Sequence, residues 1–251
     1  MVEQNKILKQ ENVKKGDFVE IEFTAKVKGG DIFDTNIKSE AEKAGLQIKE
    51  LKPFVLSVGN NMILKGLDED LEGKEIGKEY TTELTPDKSF GKRNPLLIKM
   101  IPLKSFTEQK IVPQRGMQLS LDGNVVKIIS VSGGRVLVDF NNPLAGRDVI
   151  YNFKINRKVT DEKEQINSLQ DFFFRKQFEF TINKEKKEIL FKVPKGFNNF
   201  LKLFEEQFQN ILGMKLNAVV EGENKVDEKK PENEKKIEQE KVQDKEKSLN
   251  V

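Results

Sequence analysis

The chain has 251 residues, of which 36% are hydrophobic and 34% are charged. This length suffices for one large domain or for two to three small ones. It contains no cysteine and no histidine. Their absence excludes disulfides, thiolate nucleophiles, histidine-based triads and metal sites built on either residue. We therefore expect no cofactor and no metal, and any catalysis must use carboxylates, lysines, backbone groups or shape.

Charge and hydropathy indicate where the protein acts. The amino terminus lacks the apolar core of a signal peptide, and no run approaches the roughly 18 apolar residues of a membrane helix. We therefore expect a cytoplasmic protein with no membrane partner. The 44 basic and 41 acidic residues leave a net charge of +3. This balance disfavours nucleic acid as a partner, because proteins that bind it concentrate basic charge.

The first ninety residues show the alternation of apolar and polar side chains that is typical of half-buried strands. Strands are predicted over residues 18–27, 32–36, 54–59 and 78–85. A short helix is predicted over residues 62–73, with Asn60 or Asn61 as its N-cap and Gly73 in the left-handed conformation that ends it. The polar segment 38–51 is expected to be helical or irregular.

A second block of strands is separated by two glycine-containing turns. Asp122-Gly123 and Gly133-Gly134 supply the positive φ angles that tight hairpin turns require. Strands are predicted over residues 117–121, 125–131, 135–140 and 147–155. The region from about residue 93 to 141 therefore has the pattern of a small all-β unit.

The rest of the chain mixes helices and strands. Helices are predicted over residues 161–176 and 197–212, and strands over residues 178–182, 188–193 and 215–221. Residues 159–221 are thus expected to form an α+β domain. The phenylalanine stripe of the helix at 197–212 is more often core than surface, yet its breadth leaves room for a homodimer contact or a second client surface. Residues 222–251, with eight lysines and nine acidic residues, are expected to be disordered, with a marginal exposed helix as the alternative.

Five blocks of sequence, in family order, resemble the FKBP-type peptidyl-prolyl cis-trans isomerases, and in particular their SlyD-like, long archaeal branch. The blocks are 15-KGDFVEIEFTAKV-27, 32-IFDTN-36, 53-PFVLSVGNNMILKGLDEDLEGKEIG-77, 85-TPDKSFGKRNP-95 and 136-VLVDFNNPLAGRDVIYNFKI-155. The resemblance implies an α+β fold whose antiparallel sheet wraps around a short helix. It also implies a discontinuous isomerase domain over residues 1–91 and 142–158. Residues 92–141 would be an inserted all-β flap domain, followed by the C-terminal α+β domain.

The resemblance also implies which residues form a pocket for proline. The catalytic group would be Asp34, Phe33, Phe90 and Tyr151, and the substrate-binding group Phe23, Phe54, Ile63, Leu64 and Leu67. The rings would enclose the pyrrolidine, the Leu64 backbone N–H would hold a carbonyl, and Asp34 would face the rotating amide. From the residues alone, Phe23, Phe33 and Phe54 are better explained as core and Asp34 as a turn residue, while Tyr151 is equally explained as an ordinary sheet tyrosine.

Two features depart from the family pattern. Phe23 and Phe90 stand where many relatives have tyrosine, so a hydroxyl group is missing at both positions. Leu67 stands where small relatives carry tryptophan, which implies a shallower pocket floor. The histidine- and cysteine-rich metal-binding tail of some SlyD proteins is also absent.

The inserted segment offers a surface for client proteins. Its apolar residues Leu96, Leu97, Ile98, Met100, Ile101 and Leu103 are either an ordinary core strand or an exposed groove that binds unfolded chains. A domain of about 50 residues cannot bury all of them, which favours the groove.

The sequence thus predicts a prolyl isomerase and folding chaperone that acts on unfolded or nascent proline-containing polypeptides. The alternative is a holdase-type chaperone or binding module with a weak or vestigial pocket.

Overall fold

The structure of the chain is a computed structural model that describes residues 11–47, 51–121 and 123–220. Two compact units are present. The first extends to Gln177 and includes Gln207–Gly213. The second comprises Phe178–Glu206 and the described residues that follow Gly213.

The strands and helices follow one another in a mixed order. The strands are β1 (Phe18–Val27), β2 (Ile32–Thr35), β3 (Phe54–Ser57), β4 (Glu79–Leu84), β5 (Ile98–Pro102), β6 (Gln118–Leu121), β7 (Asn124–Ser132), β8 (Arg135–Asp139), β9 (Val149–Lys158), β10 (Phe180–Asn183), β11 (Glu188–Val193) and β12 (Lys215–Val220). The α-helices are α1 (Lys38–Ala44), α2 (Lys65–Leu71), α3 (Leu103–Glu108), α4 (Glu162–Phe173), α5 (Phe197–Lys202) and α6 (Glu205–Leu212).

An antiparallel sheet forms the centre of the first unit. Its strand order is β2-β1-β9-β4, and β3 pairs with the beginning of β1. On β1, Ile21 and Ala25 are fully buried, whereas Glu22 and Lys26 are partly exposed on the opposite face. Side chains alternate across a strand, so this pattern gives the sheet one core face and one solvent face. The predicted α+β fold with an antiparallel sheet is confirmed.

Helix α2 lies on the core face of this sheet. The Thr82 hydroxyl of β4 donates a hydrogen bond to the Asp70 carboxylate of the helix. A Cβ atom at Gly66 would lie 2.7 Å from the Leu84 side chain and 2.9 Å from the Lys88 backbone oxygen. Only glycine, which lacks a Cβ atom, lets the helix approach the chain so closely at this point.

The start of α2 differs from the prediction. The helix begins after Leu64 without a side-chain cap, so the expectation that Asn60 or Asn61 caps it was wrong. The buried Asp68 carboxylate reaches back from the helix and accepts hydrogen bonds from the backbone N–H groups of Gly59 (2.7 Å) and Asn61 (2.8 Å). Asn60 and Asn61 therefore lie in a loop whose backbone is hydrogen-bonded to Asp68 of the helix.

Strands β5 to β8 form a separate antiparallel sheet in the order β5-β8-β7-β6. Its buried core consists of Phe106, Val126, Ile128, Val136 and Val138. Phe106 lies on helix α3, so the segment that was predicted as all-β also contains a short helix.

Two short chain segments lead into and out of this sheet. The Gly146 N–H donates to the Gly91 carbonyl at 2.8 Å. The Asn94 N–H donates to the Asn141 side chain at 2.7 Å, and the Asn141 amide donates back to the Asn94 carbonyl at 3.0 Å. The side-chain amide of Asn141 also donates to the nearly buried Asp139 at 2.7 Å. These bonds hold the two segments side by side.

The second unit contains a three-stranded sheet in the order β10-β11-β12. Strands β11 and β12 are parallel, and helix α5 packs against β12. Helix α4 belongs to the first unit, where Phe174 stacks on Phe208 with ring centroids 5.7 Å apart. The division into units therefore differs from the predicted start of the C-terminal domain at residue 159.

The single helix that was predicted over residues 197–212 is wrong. The chain forms α5 and α6, which are separated by Leu203 and Phe204. Phe197 and Phe200 contact each other within the second unit, with ring centroids 4.8 Å apart, whereas Phe208 belongs to the first unit. The apolar side chains of residues 197–212 pack into two different cores, which one straight helix would not allow.

Several expectations concern residues that the structure does not describe. The predicted disordered tail at 222–251 lies outside the described residues, as does the part of segment 38–51 at residues 48–50. Within the described ranges, no helix combines the length and the apolarity needed to cross a bilayer. The homodimer and the cytoplasmic location stay predictions.

Candidate active site

An irregularity in strand β2 brings two neighbouring side chains towards the core face. Asp34 pairs with Ala25 of β1, whereas Ile32 pairs with the next residue, Lys26. Phe33 is therefore the extra residue of a β-bulge, a feature that re-aims side chains. Strict alternation would have turned Phe33 away from the core face. The bulge instead allows both Phe33 and Asp34 to face the same region.

Four aromatic rings meet on this face. The Phe33 ring lies edge-on to the rings of Phe90 and Tyr151, with centroids 5.6 and 6.2 Å apart. The Phe23 ring lies 5.7 Å from that of Tyr151. Edge-to-face and offset pairs of this kind each stabilise by about 0.5–1.5 kcal/mol beyond the area they bury. Phe90, at the tip of a polar loop, thus packs onto the other rings through Phe33.

Asp34 lies beside this ring cluster and is only partly withdrawn from water. The residue as a whole is exposed. Burial of its carboxyl group nevertheless raises the pKa of Asp34, and a hydrogen bond from the Thr35 backbone offsets part of the rise. A charged form that loses hydration becomes less favourable, which explains the direction. The carboxylate is therefore poorly solvated on the side that faces the rings.

Tyr151 is electrostatically connected to this carboxylate. Burial raises the pKa of the Tyr151 phenol strongly, and the negative charge of Asp34 raises it further. A neighbouring negative charge opposes the formation of a second one. The phenol therefore stays protonated over the physiological range and can donate a hydrogen bond.

Side chains next to the bulge hold β2 against β1. The Thr35 hydroxyl donates to the Phe23 carbonyl at 2.8 Å. The Asn36 side chain accepts from the Phe23 N–H at 2.7 Å and donates to the Ile21 carbonyl at 2.9 Å. The Asn36 amide thereby replaces a partner strand where β2 has ended. These bonds fix the backbone that carries Phe33 and Asp34.

The other residues predicted for the pocket lie on β3 and around α2. Phe54 is half-buried on β3 and pairs with Ile21, and among the described residues no ring contact joins it to the four-ring cluster. Ile63 and Leu64 are half-buried and Leu67 is fully buried. The structure brings Phe23, Phe33, Phe90 and Tyr151 together by ring contacts. The roles of Phe54, Ile63, Leu64 and Leu67 in the pocket stay predictions.

The backbone of Leu64 offers a hydrogen-bond donor. Its carbonyl accepts from the N–H groups of Leu67 and Asp68, both at 2.9 Å. Its own N–H makes no hydrogen bond to any residue that the structure describes. The first N–H groups at a helix entrance have no partner within the helix, and this one is consequently open to an external acceptor.

Comparison with known proteins identifies the chain. The family model for the FKBP-type peptidyl-prolyl cis-trans isomerase matches residues 9–105. A short-type peptidyl-prolyl cis-trans isomerase of Methanocaldococcus jannaschii is 33% identical over 154 residues, which cover 61% of this chain and 98% of that protein. The chain belongs to the FKBP-type peptidyl-prolyl cis-trans isomerases.

Other relatives of this isomerase carry related names. The SlyD isomerase of Aeromonas hydrophila is 28% identical over 142 residues, covering 56% of this chain and 60% of that protein. The FKBP-type 16 kDa isomerase of Escherichia coli K12 is 28% identical over 150 residues, covering 58% of this chain and 93% of that protein. A second family model, for the IF domain of FKBP26, matches residues 99–144. The predicted FKBP-type isomerase is confirmed, while its assignment to the long archaeal type and the flap position of the insert stay predictions.

The residues predicted to bind clients differ in exposure. Leu96 is 82% exposed, Met100 59% and Leu97 38%. Ile98 is half-buried. Ile101 and Leu103 pack against the core of the separate sheet. Further large apolar side chains in this part of the isomerase, which sequence reasoning missed, are also exposed. They are Val112, Met117, Val125 and Val131.

Other contributors to the site were missed for physical reasons. The supporting bonds of Asn36 and Asp68 run to backbone groups across a loop, which no spacing in the sequence reveals. Gly66 looks like a weak point in a helix, although its missing Cβ atom permits close packing. The signal that could have found Asn36 and Asp68 is a short polar residue at the end of a strand or near a helix start.

One groove lies away from the ring cluster. It has a volume of about 580 Å³ and is lined in part by Thr24, Thr81, Asn152 and Lys154. Thr24 and Asn152 are neighbours in register and alternate with Phe23 and Tyr151, so the groove is on the opposite face of the sheet. Its lining combines these polar groups with Ile32, Ile37 and Phe153, and it includes none of the four clustered rings.

Proposed function

We propose that this isomerase rotates X–Pro bonds at the cluster of Phe23, Phe33, Phe90 and Tyr151, beside Asp34. The observation that carries the proposal is the contact of Phe33 with both Phe90 and Tyr151, 5.6 and 6.2 Å between ring centroids. Phe23 lies on β1, Phe33 on β2, Phe90 in the loop after β4 and Tyr151 on β9. Their rings nevertheless share one face next to the carboxylate of Asp34. Phe54, Ile63 and Leu67 are proposed to complete the apolar surroundings.

The chemistry requires no nucleophile and no proton transfer. Rotation about an X–Pro bond has a barrier of about 18–20 kcal/mol, because amide resonance must be broken. The twisted state has lost the charge separation of the planar amide, so apolar surroundings with little water favour it relative to the ground state. Asp34 orients the dipole of the rotating amide. The open N–H of Leu64 holds a carbonyl of the substrate chain.

We further propose that the segment over residues 92–141 binds unfolded polypeptides and delivers them to the rings. Leu96, Leu97 and Met100 expose large apolar side chains within a few residues of one another. Soluble proteins rarely leave such side chains uncovered in groups unless another chain contacts them. Unfolded or nascent chains that contain proline present both the apolar residues and the bond to be rotated.

Two substitutions test the pocket. Asp34→Ala removes the charge beside the amide and should lower kcat/KM for a proline-containing tetrapeptide at least tenfold. Phe90→Ala opens the cluster to water and should lower it severalfold. Asp87→Ala is the matched control, because Asp87 is exposed on the same loop and pairs with Lys92 at 3.3 Å. If both variants are folded and turn over the peptide at the same rate as Asp87→Ala, this pocket is refuted.

A further inference from the structure

Three residues of neighbouring strands form one row across the core face. Ala25 of β1 pairs with Asp34 on one side and with Tyr151 of β9 on the other. Strands lie about 4.8 Å apart, so the Cα atoms of Asp34 and Tyr151 are separated by about 10 Å. Ala25, which is fully buried, contributes only a methyl group between them. The tyrosine side chain is long enough to bring its hydroxyl close to the space that Asp34 faces.

The hydroxyl of Tyr151 has no partner among the described residues. The other three rings of the cluster are phenylalanines, so this hydroxyl is its single ring-borne polar group. Tyr151 is only 4% exposed. Among the described residues, Glu75 Oε2 is the one fully buried side-chain oxygen without a hydrogen-bond partner, so the Tyr151 hydroxyl keeps a small accessible area. A hydroxyl that is accessible beside an apolar cluster is free to donate to a ligand. The arrangement therefore indicates an acceptor that arrives with the substrate.

Two atoms of the rotating amide could accept from this hydroxyl, and twisting changes them in opposite directions. The carbonyl oxygen is a good acceptor in the planar amide and a poorer one when resonance is lost. The proline nitrogen cannot accept in the planar amide, but it recovers its lone pair when the bond is twisted. A donor aimed at the nitrogen therefore acts only in the transition state, which is the kind of contact that raises kcat.

We propose that the Tyr151 hydroxyl donates a hydrogen bond to the proline nitrogen of the substrate as the X–Pro bond twists. This inference rests on the proposed function of the ring cluster. The hydrogen bond involves no transfer of the proton, which stays on the phenol oxygen throughout. The carboxylate of Asp34 opposes ionisation of the phenol and so keeps it a donor. Tyr151 is then a catalytic residue through its hydroxyl and not only through its ring.

Tyr151→Phe tests the inference, because it removes one oxygen atom and keeps the ring. We expect kcat to fall about 3- to 10-fold with KM unchanged, the pattern of an interaction made only in the transition state. The matched control is Tyr80→Phe, which alters the chain's other tyrosine. The Tyr80 hydroxyl accepts from the Glu75 N–H at 2.9 Å. An unchanged kcat, or a raised KM at constant kcat, would overturn the inference.

A stronger hydrogen-bond donor at Tyr151 should change kcat in the opposite direction. In the Tyr80→Phe protein, 3-fluorotyrosine can be incorporated at Tyr151 alone, and its more acidic hydroxyl is a stronger donor. We expect kcat to rise relative to Tyr80→Phe, whereas a merely structural role predicts no rise. In an Asp34→Asn background, Tyr151→Phe should still lower kcat, and loss of that effect would mean that Tyr151 acts only through Asp34. Failure of the whole pocket is recognised separately, because Phe90→Ala would then keep the full rate.

Discussion

At the scale of single residues, the site depends on a carboxylate held against aromatic rings. Burial raises the pKa of Asp34 above its ordinary value of 3.8, and in the proposed mechanism the same surroundings favour a twisted amide. The two effects have one cause, which is the scarcity of water on the face shared with Phe33 and Tyr151. Stability and activity therefore respond to Asp34 in opposite ways.

The pH dependence of activity follows from this shift. If the ionised form of Asp34 orients the amide, kcat/KM falls as the pH is lowered through the raised pKa, and the fall begins above pH 3.8. Asp34→Asn should show a lower rate without this acid limb. The measurement is kcat/KM for a tetrapeptide between about pH 4 and 8 with both proteins. An acid limb that persists unchanged in Asp34→Asn would assign it to another group.

The stability of the folded state depends on pH in the opposite direction to the activity. The folded state holds the Asp34 proton more tightly than the unfolded state does, so ionisation disfavours folding, and stability falls as the pH rises through the raised pKa. Asp34→Asn should therefore raise the urea midpoint at pH 7 and have no such effect well below pH 3.8, where the carboxyl group is protonated in both states. A lowered midpoint at pH 7 would show that the carboxylate contributes to the fold.

Residue motifs predicted this site better than periodicity could. The side chains of Phe33 and Asp34 are consecutive, and strict alternation would put them on opposite faces of β2. Only the resemblance to the family blocks predicted that both face one region, because a β-bulge leaves no mark in the hydrophobic pattern. Asn36 was missed for the related reason that its partners are backbone groups of another strand.

At the scale of elements, strands were predicted more closely than helices. The bounds of β1 and β11 agree with the predicted ranges 18–27 and 188–193, because one face of each is buried and the alternation is regular. The apolar stripe at 197–212 reads as one helix, but its residues divide between two units. A sequence pattern reports that side chains are buried, and it does not report in which core.

Helix α2 provides a prediction at this scale. Gly66→Ala improves helix propensity by about 1 kcal/mol, yet the added Cβ atom would meet the side chain of Leu84 and the backbone of Lys88 below 3.0 Å. We expect a net destabilisation of about 1–3 kcal/mol, because the chain near Phe90 has to shift. Lys65→Ala, at an exposed neighbouring position, should stay within about 0.5 kcal/mol of wild type. Urea unfolding compares the three proteins, and a Gly66→Ala midpoint at or above wild type would contradict the packing argument.

At the scale of the whole molecule, the family models together span residues 9–144. Helix α4 and the second unit lie outside these residues. The composition predicted an α+β region there, and strands β10 to β12 with helix α5 have that character. The position of the boundary was not predictable, because α4 and residues 207–213 join the first unit through contacts distant in sequence. A homodimer through this region stays a prediction.

Separation of catalysis from client binding is the prediction that belongs to the whole molecule. The Gly91 carbonyl and the Gly146 N–H are 2.8 Å apart, so residues 92–145 can be replaced by a two-residue glycine linker without stretching the chain. We expect this variant to isomerise short proline peptides within about threefold of wild type, because such peptides need only the ring cluster. It should lose the ability to prevent aggregation of an unfolded protein and to accelerate proline-limited refolding.

Point substitutions locate the surface within that segment. Leu96→Ser with Met100→Ser removes the two most exposed of the predicted apolar side chains, 82% and 59% exposed, and should weaken the suppression of aggregation severalfold while peptide turnover is unchanged. Lys104→Ser, on the exposed side of α3, is the matched control. Light scattering of an unfolded test protein and the peptide assay are measured on the same preparations. If the double variant suppresses aggregation as well as the control does, clients bind elsewhere on the chain.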